Sequence, residues 1–274
     1  MTLDQLRLDG QVAIVTGGSR GLGREMARSL AAAGADVCIA ARTESQLEKT
    51  AAFIQEETGC EVIYLPTDVQ SSEQCQRLID QTIERYGKLD IMVNNAGIGD
   101  RRGAGEKIWT LSDEDWHDTI EVNLYSTFYC SRGAAAYMVE RGEGGVIINV
   151  ASGTALRGYP QGMGYGAAKA GVISLTKTFA TGLARDGIRV NCIIPGFVAQ
   201  WPAESEEERE QRASRGQFIT ARRLGEAWEL GPLAVFLASD ASSYVTGESF
   251  IIDGGGLAGG LAPTGWAPET GGSR

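Results

Sequence analysis

The chain has 274 residues, 43% hydrophobic and 22% charged, with 37 glycines against 7 prolines; this is enough apolar matter for a sizeable core in one α/β domain and excludes a disordered chain. Twenty-five basic against 35 acidic residues leave a formal charge of -10, a field that repels phosphate backbones and argues against nucleic acid as a partner. Apolar runs fall short of a bilayer span, Met1-Thr2-Leu3-Asp4-Gln5 does not read as a secretory leader, the five cysteines are widely spaced and His117 has no metal-ligand neighbour, so a soluble cytoplasmic protein with reduced thiols, no membrane partner and no metal is expected.

Along the chain, short β-branched runs alternate with longer stretches of helical period, which predicts a doubly wound α/β fold around a parallel sheet covered on both faces. A first strand at 12–16 runs through Thr16-Gly17-Gly18-Ser19-Arg20-Gly21-Leu22-Gly23 into a helix at 21–33. Glycine is needed where a backbone turns sharply and approaches a pyrophosphate, and free N–H groups with the helix dipole favour that negative charge. The same spelling also serves a purely structural strand-to-helix turn. The second strand, 36–41, closes as Ala41-Arg42-Thr43, without the carboxylate that reads a free ribose 2′-hydroxyl. Arg42 with Arg20 would clasp a 2′-phosphate, favouring NADP(H) over NAD(H); the competing reading makes Arg42 a solvated residue opening the helix at 44–58.

Further strands are predicted at 61–66 and 89–94 around a helix at 71–86, then a helix at 112–139 and a fifth strand at 146–150. Ser152, just beyond, is either a turn serine or a hydroxyl facing the crevice at the carboxyl ends of the strands. In the helix predicted at 165–185, Tyr165 alone of the eight tyrosines has a lysine four places on, Lys169. The two share a helix face, and an ammonium beside a phenol lowers a pKa that is ordinarily about 10, toward proton exchange near neutral pH. A sixth strand at 188–194, a long insertion at 197–224, a helix at 226–239 and a last strand at 249–253 complete a unit of residues 1–256. The insertion reads either as a substrate lid or as a solvated acidic helix, and the glycine- and proline-rich 257–274 as a tail outside the core.

Taken in order, Thr16-Gly17-x-x-x-Gly21-x-Gly23, Asp68-Val69, Asn94-Asn95-Ala96-Gly97, Asn123, Ser152, Tyr165-x-x-x-Lys169 and Pro195-Gly196 resemble the short-chain dehydrogenase/reductase family over nearly all of residues 8–256. The resemblance implies a Rossmann fold with a seven-stranded parallel sheet ordered 3-2-1-4-5-6-7, and a homotetramer packed through the two long helices and the last strand. It implies that Tyr165 is the general acid/base, that Lys169 holds the ribose hydroxyls and depresses the tyrosine pKa, that Ser152 hydrogen-bonds the substrate oxygen, and that Asn123 keeps a water in the proton relay. The cofactor would be held by Gly17, Ser19, Arg20, Gly21, Leu22 and Gly23 at the first turn and by Arg42 and Thr43 after the second strand. Asp68 and Val69 would flank the adenine, Asn95, Ala96 and Gly97 the adenosine ribose, and Tyr165, Lys169, Pro195, Gly196 and Val198 the nicotinamide end. A threonine common after the Pro-Gly turn is missing here, leaving either Gln200 or the backbone for the carboxamide. The implied activity is NADP(H)-dependent interconversion of a ketone and a secondary alcohol, the substrate a medium-sized, partly apolar carbonyl compound such as a 3-oxoacyl thioester, a keto sugar acid or a cyclic ketone, with lyase or isomerase chemistry, or dinucleotide sensing without turnover, as alternatives on the same fold. Pocket walls are expected from 99–109, 154–164 and 197–224, which offer Trp109, Leu156, Tyr159, Met163, Phe197, Trp201 and Phe218 with Arg101, Arg102 and Arg157.

Overall fold

Uninterrupted apolar runs form the strands that carry the architecture. In the computed structural model, which describes residues 3–99, 108–159 and 162–259, these are β1 Val12–Thr16, β2 Asp36–Ala41, β3 Val62–Pro66, β4 Ile91–Asn94, β5 Gly145–Val150, β6 Ile188–Pro195, β7 Val198–Ala199, β8 Gly225–Glu226 and β9 Ser249–Ile252. The helices are α1 Gly21–Ala32, α2 Glu44–Thr58, α3 Ser72–Tyr86, α4 Asp113–Ile120, α5 Ser126–Arg141, α6 Met163–Leu183, α7 Glu206–Gly216, α8 Gly231–Ala238 and the single turn α9 Gly256–Gly259. Seven strands make one sheet in the order β3-β2-β1-β4-β5-β6-β9, every neighbouring pair parallel. This is the expected doubly wound α/β arrangement.

Alternation along each strand sends side chains to two cores. Ala13, Val15, Ile39, Ile91 and Val93 pack with Met26 and Leu30 of α1, Leu47 and Ile54 of α2 and Leu237 of α8. Ile14, Cys38, Met92 and Ile147 point the other way, onto Leu78 and Ile79 of α3 and Cys130, Ala134 and Met138 of α5. With both faces covered, every residue of β1 is buried, and each large aliphatic side chain so removed from water contributes about 1.5–3 kcal/mol. Strand order reverses between β1 and β4, so the flanking crossovers leave on opposite faces and a crevice opens at the carboxyl ends.

Three departures from the predicted elements have local causes. The helix expected at 112–139 is interrupted by a π-helical turn, Glu121–Tyr125, between α4 and α5. There the Asn123 amide donates to the Thr119 carbonyl at 2.9 Å and Ser126 Oγ to the Val122 carbonyl at 2.6 Å, side chains competing for the carbonyls that a regular helix would use. The helix expected at 226–239 begins as a single 3-10 turn, Ala227–Leu230, because Pro232 near the start of α8 has no N–H to extend a regular helix backwards. Within the insertion, β7 and β8 form a separate parallel pair, too short to leave a periodic signal. Among the described residues, no helix is long and apolar enough to cross a membrane, and all five cysteines are free.

Candidate active site

The crevice begins at the glycine-rich turn. Gly17 has φ +66, and a Cβ there would sit 2.8 Å from Asn95 Nδ2; a Cβ on Gly23 would run into the Gly17 carbonyl. Both positions therefore require glycine. Asn95 fastens the turn by donating to the Thr16 carbonyl at 2.9 Å and the Gly17 carbonyl at 3.3 Å, while Thr16 Oγ1 accepts the backbone N–H groups of Asn95 and Ala96, both at 3.1 Å. Arg20, preceding α1, makes no side-chain cap to the helix, so the N-terminal amides remain available to an anion.

This turn borders a cleft of about 620 Å³. Along it lie Ser19, Arg20, Leu22, Gly23, Arg42 and Thr43 at one end, Asp68, Val69, Asn95, Ala96 and Gly97 along the middle, and Tyr165, Lys169, Pro195, Gly196 and Val198 at the other. Gly21 is not on its wall, because the Gln200 side chain lies over it, where a Cβ would collide with Oε1. Gln200 thus sits beside the glycine turn, while Val198 follows the Pro-Gly corner. Arg20 and Arg42 are both exposed, and neither forms an ion pair among the described residues. The cradle fits an extended, anionic dinucleotide: backbone donors at a helix start, no space for a Cβ, and two unneutralised guanidiniums at one end.

At the other end, α6 projects Tyr165 and Lys169 from one face, with Lys169 Nζ 5.6 Å from the tyrosine ring centroid. Lys169 is only 2% exposed and donates to the Val150 carbonyl at 2.9 Å; burial pulls its ammonium down to about 8. The nearby Cys192 thiol is itself pushed up to about 11 by burial, so it supplies no anion at neutral pH. Asn123 is fully buried. Its amide donates to the Ile98 carbonyl at 2.8 Å and its Oδ1 accepts the Ile98 N–H at 3.2 Å, which clamps the segment after β4 to the π turn. A Cβ on Gly97 would lie 2.7 Å from Asn123 Oδ1 and 3.3 Å from Lys169 Nζ, so glycine lets these two groups crowd the cleft wall.

Ser152 combines the two roles left open for it. It caps the 3-10 turn Gly153–Leu156, accepting the Thr154 N–H at 3.3 Å and the Thr154 hydroxyl at 3.1 Å, which leaves its own proton to donate. It also borders a second cavity, of about 250 Å³, that shares Gly99, Ser152, Tyr165, Pro195 and Gly196 with the first. Of the expected walls, Arg157, Tyr159 and Phe197 line this second cavity and Trp201 the first. Trp109 is 76% exposed, Leu156, Met163 and Phe218 border neither cavity, and Arg101 and Arg102 lie outside the described residues. Ile219 is a further wall from the 197–224 segment, and Asp253 and Leu257 are walls outside the expected segments. Leu257 opens the segment expected to lie outside the core, yet Asp253 accepts its N–H at 2.6 Å and holds it against the cavity. Most of the tail, from 260 on, lies outside the described residues. Helix α7 buries only Gly216, so its acidic turn is a solvated surface, while Phe197 and Ile219 at the two ends of the insertion reach the cavity.

Residues 17–256 match the family model described as enoyl-(acyl carrier protein) reductase. The chain is 39% identical over 253 residues to the short chain dehydrogenase/reductase astE of Aspergillus oryzae, covering 90% of this chain and 95% of that protein. It is 38% identical over 263 residues to the 2-dehydro-3-deoxy-D-gluconate 5-dehydrogenase of Escherichia coli, covering 94% and 100%. A short-chain type dehydrogenase/reductase from Mycobacterium marinum superposes with a TM-score of 0.84 at 34% identity, covering 92% of this chain and 98% of that one. The chain belongs to the short-chain dehydrogenase/reductase family. It is thereby placed among oxidoreductases that use nicotinamide dinucleotides.

Proposed function

We propose that the protein is an NADP(H)-dependent oxidoreductase that interconverts a small ketone and its secondary alcohol, with Tyr165 as the acid/base. The observation that carries this is the meeting of an extended anion-binding cleft and a compact cavity at Ser152 and Tyr165, with the buried Lys169 beneath the tyrosine ring. When bound, the nicotinamide supplies or accepts the hydride. The residues of this chain do the rest. Ser152 donates its remaining proton to the substrate oxygen, orienting the carbonyl. Tyr165 gives that oxygen a proton in reduction and removes it in oxidation, and the ammonium of Lys169 stabilises the phenolate left behind. Asn123 is a positioning residue: its clamp on Ile98 sets the wall beside Lys169, and its remaining Oδ1 lone pair is where we place the relay water.

Arg20 and Arg42, exposed at the opposite end with Thr43, support the choice of NADP(H), since a guanidinium fork suits a 2′-phosphate. We place residues 1–256 in one catalytic unit, the ends of the 197–224 insertion acting as the wall that closes on substrate. An apolar hollow between α5 and α6, edged by Phe128, Val139, Phe179 and Leu183, and the exposed Ile251 on the edge strand β9 support a homotetramer. The free cysteines support a cytoplasmic location. The test is Tyr165→Phe with a ketone panel, followed by nicotinamide absorbance. Loss of a general acid predicts a fall in kcat of about 1,000-fold with cofactor affinity unchanged, and a variant turning over near the wild-type rate refutes the assignment.

A further inference from the structure

The catalytic assignment leaves one charged group of the compact cavity without a task. Arg157 follows the short turn that Ser152 caps, so the backbone that fixes the serine hydroxyl also fixes the start of this side chain. Its Nε is buried and has no hydrogen-bond partner among the described residues. Its guanidinium carbon lies 5.7 Å from the centroid of the Phe197 ring, and both residues border the cavity that Ser152 and Tyr165 also line. A ring contact holds a guanidinium in place but neutralises none of its charge. A buried donor left without an acceptor is costly, and natural sites tolerate it where a ligand supplies the missing partner.

We propose that Arg157 receives a carboxylate of the substrate, so that the compounds taken here are short oxo acids and the matching hydroxy acids; this rests on the oxidoreductase reading above. The other charged side chain on the cavity wall, among the described residues, is Asp253. Its two oxygens accept the N–H groups of Gly255 at 2.9 Å and Leu257 at 2.6 Å, which hold the carboxylate on its own corner, and it makes no ion pair with Arg157. The fork of a guanidinium matches a carboxylate in plane. One cation on a wall that also carries the apolar Phe197, Ile219 and Leu257 fits a monoanion joined to its carbonyl by hydrocarbon rather than a polyanion. The volume of about 250 Å³ limits that skeleton to a short chain or a small ring.

Acetoacetate and levulinate, each paired with its methyl ester, keep the carbon skeleton and remove the charge. Their binding to the wild type, Arg157→Met and Arg157→Lys is measured calorimetrically with NADP+ present, which has no hydride to give to an oxo acid, and kcat and KM are measured separately with NADPH. At least one acid should bind the wild type about 10- to 100-fold tighter than Arg157→Met. In that variant the acid should fall to the level of its ester, with the loss in KM rather than kcat, and Arg157→Lys should recover part of the difference. Equal binding of acid and ester to the wild type, equal weakening of both in Arg157→Met, or no measurable binding of any acid overturns the proposal. Because binding is read without turnover, a protein that discriminates acids through Arg157 but reduces none of them would uphold the anion site and refute the oxidoreductase reading instead.

Discussion

Lys169 offers a test of the site that needs no substrate. The residue is 2% exposed, its one hydrogen bond among the described residues goes to the neutral Val150 carbonyl, and burial lowers its pKa from 10.5 to about 8. A fall of that size means that the folded protein, with no ligand bound, carries the ammonium at a cost of about 3 kcal/mol relative to the unfolded chain. The native pKa is the lower one. Between the two values the unfolded chain therefore binds more protons than the native protein, and stability rises with pH across that window; below about pH 8 the penalty is carried in full. Integrating between about pH 7 and about pH 9.5 gives the wild type a gain of about 2 kcal/mol from this one group. Lys169→Met keeps the length of the side chain and removes the titration, so subtracting its profile from that of the wild type cancels the other groups. Urea unfolding of both ligand-free proteins, followed by tryptophan fluorescence at several pH values, measures the difference. Two profiles that stay parallel from neutral to alkaline pH would mean that the lysine is hydrated in solution, and the argument from burial would fail. Saturating NADPH should shrink the gain, because oxygen partners for the ammonium raise its native pKa.

Arg42→Ala should weaken NADPH by about 10- to 100-fold, as expected for loss of charge-assisted hydrogen bonds, and leave NADH nearly unaffected. Fluorescence titration with both nucleotides decides it, and equal losses would mean that this side chain does not read the 2′-phosphate. Asn149, below the site, accepts from Asn94 Nδ2 at 2.8 Å and donates to Thr176 Oγ1 at 2.9 Å, all three side chains being buried. Asn149→Leu leaves an amide donor of Asn94 unsatisfied and should cost about 2–3 kcal/mol of unfolding free energy; a urea midpoint unchanged from the wild type would show that the network relaxes without loss.

The half of the site proposed to hold the cofactor could be picked out in the sequence because its geometry constrains the backbone. Gly17 and Gly23 are forced by steric contacts with Asn95 and with the turn itself, and such requirements show in a sequence as glycines at fixed spacing. The strands were legible for a related reason: a sheet covered on both faces, with Ala13 and Val15 on one side and Ile14 on the other, has to be spelled as an unbroken apolar run. Local pattern fails where the partner is remote. The clamp of Asn123 on Ile98 ties the π turn to the segment after β4, and nothing in the helical period between 112 and 139 encodes that contact. The family resemblance left either Gln200 or the backbone for the nicotinamide carboxamide, and only the folded chain shows the Gln200 amide lying over Gly21.

The substrate cavity is the extreme case of the same rule. Its walls come from the turn after β5, from both ends of the insertion, and from the corner after β9, where Asp253 holds Leu257. None of these segments has a period, and each side chain acquires its role from packing against another segment. Arg157 shows this most plainly. In the sequence it is an arginine before a glycine; in the fold it lies over Phe197 with a buried N–H unmet. A nicotinamide dinucleotide is an extended anion that asks for backbone amides and close approach, so the residues proposed to hold it can be read in one dimension. The substrate differs from member to member, and its recognition has to be written in side chains on mutually supporting loops, which is why the carboxylate site at Arg157 emerges only after the chain is folded.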